Sequence, residues 1–470
     1  MKDRQITVAE TEDYSNSHER DVRYGEVVVI NPPLYSHGGR LSLGQLTSVT
    51  LVDVTYRYFQ GISAEMKYAS SAYNSQGKPV ESHVGSTDDL IQFTEQARAK
   101  TVESAQQIDV EREKLGMAKT GVEFIDTQEA SHAVVQQRFL DLYKKGFVYR
   151  EGHNFFLDTG LILRTFDVRE ILNAVEFRPS NLVNTLHQLL TDATDRVPLT
   201  KDRLFATPLP LYICDGCSAD FIPEATTFPN DPRLTPECCP HCNNAVTNTP
   251  RDTIAPLFDL TQQRSFLSDN PEAKVIQICG RNVLTNYIYY SLLVNVALDS
   301  KAPFDVLITH GYLNDHTGKR MSRRNNNMVY VDELLENYHP DAIRYAAVKA
   351  LTQNDSSSNY DESQLKAGQK FVYKIGNLRK FLKSNDVHLS NYDHDKDFWE
   401  SYTVLMEKFD YKHAFSLAEA YLSKISSDIA HEREQGAIDI KDKAIRYITA
   451  IMMLQPFMPS ITEKSITELI

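Results

Sequence analysis

Long apolar runs are missing from this sequence. None approaches the roughly 20 residues that a helix needs to cross a bilayer, which excludes a helical membrane span. The first 23 residues are polar and mixed in charge. They lack the apolar core of a secretory signal, so the expected location is cytoplasmic. Positive charge is also in short supply, with 50 Lys and Arg against 63 Asp and Glu, a net charge of −13. That balance counts against phosphate backbones as the main partner, although a local basic groove is compatible with it. Cysteine is scarce, with six in all. There is no internal repeat and no low-complexity tract. What remains is an ordinary globular composition, 41% hydrophobic and 24% charged, in a chain of 470 residues, long enough for two or three domains.

The opening is informative. Residues 24–30, Tyr-Gly-Glu-Val-Val-Val-Ile, read as a short buried strand ended by Asn31-Pro32-Pro33. A glycine-bearing loop follows, and Leu46 to Phe59 is periodic at helical spacing. Strand, tight loop and helix are the start of a nucleotide-binding α/β unit. Amphipathic helices are expected at 88–115 and 127–145. The α/β pattern resumes with a strand at Val275–Ile278, a helix through Ala297 and a strand at Val306–Thr309 that leads into His310-Gly311. From Glu362 onward the pattern is helical, and Ser460-Ile-Thr-Glu463 has the spacing of a capping box for a last helix.

Five of the six cysteines fall between Cys214 and Cys242, in a stretch rich in Cys, Pro, Asn and Thr that reads as an inserted module. Cys214-Asp-Gly-Cys217 and Cys239-Pro-His-Cys242 are paired CxxC motifs. Each turns two thiolates toward one point, and two such knuckles make the tetrahedral cage that zinc prefers. Cys238 competes with Cys239 but breaks the two-residue gap, and His241 is an alternative ligand. Four protein ligands would close the site to substrate, so the zinc is expected to be structural.

Several segments together resemble the class I aminoacyl-tRNA synthetases of the methionine, valine, isoleucine and leucine type. Pro32-Pro33 through Gly39-Arg-Leu-Ser42-Leu-Gly44-Gln45-Leu46 is similar to the first signature, HIGH. Arg320-Met-Ser322-Arg323-Arg324 is similar to the second, KMSKS, and Phe304 to Tyr312 resembles the strand and turn before it. Val331 to Tyr345 resembles the stem helices, Pro208 to Cys214 the entry to the ribbon, and Pro456-Phe-Met-Pro459 a late helix of the anticodon-binding bundle. The resemblance runs over nearly the whole chain. It implies an α/β, Rossmann-type catalytic domain at 24–150 and 251–350, after a polar segment at 1–23. A reduced connective insert at 151–250 would carry the zinc ribbon at about 205–250, and a stem with a short helical domain would follow at 351–470. The bridge from Gly152 to Leu204 is too short for an editing domain. From Lys366 onward the tail has 15 basic and 15 acidic side chains, so it is neutral on average.

The resemblance also implies a site. Arg320 and Arg323 stand for the two signature lysines, and Ser42 and Gln45 for the two signature histidines. These four are the catalytic candidates. Serine and glutamine donate hydrogen bonds but carry no charge. Gly44, Gly280, Asn282, His310, Gly311 and Ser322 are the ATP-binding candidates. Asn282 stands where an aspartate usually holds the ribose. Leu34, Tyr35, Asn74 and Asn286 are the amino-acid-binding candidates. Asn74 stands where an aspartate usually pairs with the substrate ammonium, and an amide cannot make that charge-assisted bond.

The function this implies is ATP-dependent activation of an amino acid or related carboxylate as an acyl-adenylate, with ATP and structural Zn2+ bound and Mg2+ accompanying ATP. Transfer would follow to tRNA or, favoured by the net charge and the short tail, to a small molecule, with a biosynthetic enzyme as partner. The competing expectation is a catalytically inactive synthetase paralogue that binds a nucleotide, an amino acid or a protein.

Overall fold

The computed structural model describes residues 23–30, 34–35, 40–69, 73–74, 90–118, 129–192, 196–202, 207–214, 216–221, 238–244, 252–254, 270–322, 325–351, 356–385, 387, 394–436 and 438–469. Five strands build the central sheet: β1 Tyr24–Ile30, β2 Ser63–Ala69, β3 Glu176–Arg178, β4 Lys274–Gly280 and β5 Val306–His310. They run in the order β2-β1-β4-β5-β3, and every neighbouring pair is parallel. Val27 to Ile30 and Val275 to Cys279 are buried without a break, as expected of strands covered on both faces. Alternation sorts them. Val28, Ile30, Val275, Cys279 and Leu307 enter one apolar cluster, and Val27, Val29, Ile276, Ile278, Val306 and Ile308 enter the other.

The longer helices are α1 Leu43–Gln60, α2 Leu90–Lys114, α3 Glu129–Lys144, α4 Tyr289–Asp299, α5 Pro340–Lys349, α6 Glu362–Lys383, α7 Lys396–Glu407, α8 Tyr411–Gln435, α9 Ile440–Leu454 and α10 Pro459–Leu469. α3 and α4 supply Phe139, Leu142, Leu293 and Val296 to the first cluster. α1 and the C-terminal bundle of α6 to α10 supply Val52, Phe59, Phe415 and Ile448 to the second. A third cluster joins Leu43, Leu46 and Val49 of α1 to Ile108 of α2, with Val331 and Leu365. α5 and α6 come close because Gly368 has no side chain. A Cβ there would lie 2.7 Å from the Ala342 carbonyl oxygen.

Strands β1, β4 and β5 and helices α1, α2 and α3 fall within a few residues of the sequence expectations, whereas β2 and β3, which complete the sheet, were not among them. Two further features differ. Val148–Glu151, Asn154–Asp158 and Arg196–Pro198 form a small antiparallel sheet in the bridge before the ribbon. The Ser460 to Glu463 spacing is not used as a capping box, because α10 begins at Pro459. Its first turn is capped instead by Asp341 of α5, which accepts from the amides of Ser460 at 3.4 Å and Ile461 at 2.6 Å. A carboxylate near free N–H groups at a helix start satisfies the same orphan donors that a local cap would. None of the described helices is long and apolar enough to cross a membrane.

Candidate active site and cysteine cage

The C-terminal ends of β1, β4 and β5 lie side by side, with Ile30 opposite Gln277 and Gly280 opposite His310. The chain leaves β1 toward α1 on one side, and β4 returns on the other. This is the switch point of an open parallel sheet, where a crevice forms outside the strand ends.

At the entry to α1, Ser42 is the N-cap and Gln45 completes a reciprocal box. The Ser42 Oγ accepts from the Gln45 amide at 3.4 Å and donates to Gln45 Oε1 at 2.8 Å, while the Ser42 amide donates to the same Oε1 at 3.0 Å. Both side chains therefore cap the helix in this structure, and Ser42 is buried. A Cβ on Gly44 would meet nothing within 4 Å, so the helix start is open at that point.

His310 closes the other side. Its Nδ1 lies 3.0 Å from the Gly311 carbonyl, which can only accept, so the proton is on Nδ1. Nε2 then accepts from the Ser48 hydroxyl of α1 at 2.6 Å. Burial pushes the imidazole down to about 4, which keeps it neutral. Gly280 is tightly overhung. A Cβ there would lie 2.5 Å from Oδ1 of Asn282 and 3.3 Å from Cε1 of His310. After β4 the chain makes a 3-10 turn at Arg281–Val283 and a π-helical turn at Leu284–Ile288 before α4. Asn282 and Asn286 share its exposed side, while Leu284, Tyr287 and Ile288 are buried.

The basic loop is organised around Asp315. Its carboxylate accepts from the amides of Thr317 and Lys319, each at 2.9 Å, from the Thr317 hydroxyl at 2.7 Å and from Asn327 Nδ2 at 2.7 Å. Led by the bonds from Thr317 and Asn327, these hold it well below the usual carboxylate range. Asn327 Oδ1 accepts from the Ser322 amide at 2.9 Å, and the Arg320 carbonyl accepts from Asn325 at 3.0 Å and Asn327 at 3.3 Å. The Arg320 guanidinium lies 4.5 Å from the centre of the Tyr312 ring. Arg323 and Arg324 lie outside the described residues.

Among the amino-acid-binding candidates, Leu34 and Tyr35 pair in parallel with Tyr73 and Asn74, with Tyr35 opposite Asn74. The backbone thus brings three of the four together. Sequence reasoning missed Ser48, Asp315, Asn327, Arg40 and Glu111. Their partners lie far along the chain or in an irregular turn, and spacing carries no signal for that.

The ribbon stands apart from this crevice in chemistry. The Sγ atoms of Cys214, Cys217, Cys239 and Cys242 all lie within 4.8 Å of one another. Cys214 to Cys242 is 3.4 Å and Cys217 to Cys239 is 3.8 Å. Sulfurs on a tetrahedral zinc at about 2.3 Å sit about 3.8 Å apart, so the thiols fit that ion. The two knuckles repeat one turn. The Ser218 amide donates to the Cys214 carbonyl and the Asn243 amide to the Cys239 carbonyl, and Ser218 and Asn243 share a left-handed φ of 57° and 58°. A backbone N–H from Cys217 draws the Cys214 thiol down to about 7. The Asn244 amide favours the Cys242 thiolate, yet its Cys214 neighbour pushes it up to about 12. Cys238 is exposed outside the cage, and the His241 ring packs edge-on against Phe221. The Tyr143 hydroxyl bonds to Asp220, and Arg150 to the Ser218 carbonyl, docking the ribbon on α3 and the bridge sheet.

The chain matches a family model described as tRNA synthetases class I (I, L, M and V) over residues 262–359, which takes in β4, β5 and the basic loop. Over that stretch the chain is similar to the class I synthetases. The valine–tRNA ligase of Methanocaldococcus jannaschii is 25% identical over 235 residues, 48% of this chain and 26% of the relative. That of Nanoarchaeum equitans is 22% identical, over 46% of this chain and 30% of the relative. These matches span about a quarter to a third of the length of the curated relatives. Among solved structures, a LeuRS of Agrobacterium radiobacter in ternary complex with tRNA and LeuAMS superposes with a TM-score of 0.71 at 14% identity. It covers 98% of this chain and 87% of the other. Methionyl-tRNA synthetase of Mycobacterium tuberculosis in complex with methionyl-adenylate superposes at 0.69 with 12% identity, covering 94% and 93%. At such identities these structures establish the class I synthetase-like fold.

Proposed function

We propose that the crevice activates an amino acid or related carboxylate with ATP, forming an acyl-adenylate and releasing pyrophosphate. What supports this reading is that Ser48 of α1 bonds His310 beside Gly280 and Asn282, and that the α1 entry pairs with the chain leaving the loop of Arg320. Attack on the α-phosphate gathers negative charge on phosphate oxygens. A helix N-terminus and mobile guanidinium groups stabilise such charge. In this reading Gly44 and Gly280 admit the nucleotide, and Asn282 takes the ribose. Ser322 and the Arg320 and Arg323 guanidiniums take the phosphates, with Mg2+ arriving on ATP. The segment pairing Tyr35 with Asn74 and the exposed Asn286 side take the carboxylic acid. The structural relative solved with methionyl-adenylate supports this class of ligand.

The acceptor is read as a small molecule in a cytoplasmic biosynthetic pathway, ahead of tRNA, because the chain is acidic and its tail neutral. A second reading draws on one observation: Ser42 and Gln45 satisfy each other and the helix start. That favours a binding paralogue without catalysis. Pyrophosphate exchange with a panel of carboxylates separates the two. Arg323→Ala is expected to lower exchange about 10²–10³-fold, the scale of one lost electrostatic contact to a transition state, with ATP binding changed less. Absence of exchange with every carboxylate, together with ATP affinity indifferent to Arg323→Ala, defeats the enzyme reading.

A further inference from the structure

The segment that enters α1 is held from two sides. Along one edge it pairs with the chain leaving the basic loop. The Leu43 amide donates to the Val329 carbonyl and the Val331 amide to the Leu41 carbonyl, both at 2.9 Å, around an antiparallel bridge between Ser42 and Tyr330. Arg40 extends this ladder through the side chains. It binds Asp332 through Nε at 2.8 Å and Nη2 at 2.7 Å, reaches Glu333 at 2.6 Å, and stacks 3.9 Å from the centre of the Tyr330 ring. The first signature is therefore zipped to the chain that follows the basic loop, one to three residues from Gly44.

From the opposite side, α2 inserts Glu111. This carboxyl is 1% exposed. Ile108 of α2 and Leu115, just past its C-terminal end, are fully buried in the apolar cluster that also takes Leu41, Leu43 and Leu46. Oε2 accepts from the Leu41 amide at 2.9 Å. Oε1 is buried with no hydrogen-bond partner among the described residues. An acid group with one oxygen engaged and the other dry is satisfied best when it is neutral.

We propose that Glu111 is a positioning residue for the first signature: through the Leu41 amide it fixes the start of α1, and its closed, buried seat is favoured when the carboxyl carries a proton. The inference rests on the reading of that helix start as the ATP-facing element. Burial raises the Glu111 carboxyl to about 7, with the Leu41 amide opposing. The charged groups that bear on it are Asp332 from the segment after the basic loop, Arg40 from the α1 entry and Lys114 from α2 itself. Asp332 adds to the upward push, and the two cations oppose it. Arg40 is already committed to Asp332 and Glu333.

The sign follows from linkage. The closed arrangement prefers the protonated form, while an opened, hydrated Glu111 returns toward the ordinary carboxylate range near 4.5. Raising the pH therefore favours opening. Between pH 6 and 8 the opening equilibrium is expected to rise about tenfold.

Two variants test this on the full-length chain. Glu111→Gln keeps an acceptor and removes the titration. Glu111→Met keeps the volume and removes the acceptor. The first readout is amide exchange at Leu41, corrected for the intrinsic pH dependence. Wild type is expected to lose about tenfold in protection from pH 6 to 8, Glu111→Gln to be flat, and Glu111→Met to be unprotected throughout. The second readout is calorimetric affinity for ATP over the same range, expected to fall with pH in wild type and to be pH-independent in Glu111→Gln. A Glu111→Gln protein that keeps the wild-type slope at Leu41, or a folded Glu111→Met protein that keeps Leu41 protected, overturns the inference. If wild type binds no ATP while Leu41 behaves as stated, the positioning role stands and the nucleotide reading of the crevice falls.

Discussion

Arg344 of α5 donates to Asp53 of α1 at 2.7 Å, and neither side chain has any exposed surface. The same guanidinium donates to the carbonyls of Phe457 at 2.8 Å and Pro456 at 2.9 Å, just before α10. Asp53 also accepts from Arg57 at 3.0 Å and the Ala118 amide at 2.7 Å. One buried charge cluster thus ties α1 to α5 and to the C-terminal bundle. Burial alone would raise the Asp53 carboxyl, but Arg57 and Arg344 hold it below its ordinary value. Its contribution to stability is therefore present at neutral pH and lost as pH falls through the acid range.

Arg344→Met should be destabilising by about 3 kcal/mol or more, because it strands part of a buried carboxylate and two carbonyls. The measurement is the urea midpoint at unchanged slope. A loss below about 1 kcal/mol would show that water or Arg57 compensates, and that the bundle is not held through this cluster.

The cysteine cage predicts one zinc ion per chain. Cys239→Ser should abolish the zinc found by elemental analysis and expose the ribbon to proteolysis, whereas Cys238→Ser, outside the cage, should leave both unchanged. Equal zinc in the two variants would assign the ligands wrongly.

His310 should titrate near pH 4 by NMR, as the Nδ1–H tautomer. Its folded value lies below the ordinary 6.5, so its stabilisation is complete above that pH and is lost as pH falls toward 4. The full effect is on the order of 3 kcal/mol. A His310→Gln protein should show a shallower loss of stability between pH 6.5 and 4. A histidine resonance titrating at its ordinary value would mean that the corner of His310, Ser48 and Gly280 is open to water.

Asn327 bridges Asp315 to the Ser322 amide and the Arg320 carbonyl. Asn327→Ala should release the basic loop, raising amide exchange at Ser322 about tenfold while the sheet stays protected. If the crevice is catalytic, turnover in pyrophosphate exchange should fall more than apparent ATP affinity, since the loop acts on the transition state. Unchanged exchange at Ser322 would leave Asp315 as the sole anchor.

Asn74 reports on the substrate. If the natural ligand has a free ammonium held there, Asn74→Asp should tighten its binding by a charge-assisted bond. If the ligand lacks that charge, the same change should weaken binding, because an unpaired carboxylate would enter the pocket. Affinities unchanged for every amino acid tested would place Asn74 away from the ligand.

The sequence by itself determined the layers. Apolar runs such as Val27–Ile30 and Val306–Ile308 read as buried strands, and helical periodicity placed α1, α2 and α3 to within a few residues and marked the chain after Glu362 as helical. The paired CxxC spacing also fixed which four cysteines meet. All of these are local patterns, set by the periods of strand and helix or by one turn of chain. Tertiary structure decided what lies across long separations: that Asp341 replaces Ser460 as the cap of α10, that Asp53 meets Arg344, and that Glu111 grips Leu41. A sequence pattern states which polar groups are available, but which donor reaches which acceptor depends on how the packed layers bring distant segments within about 3 Å.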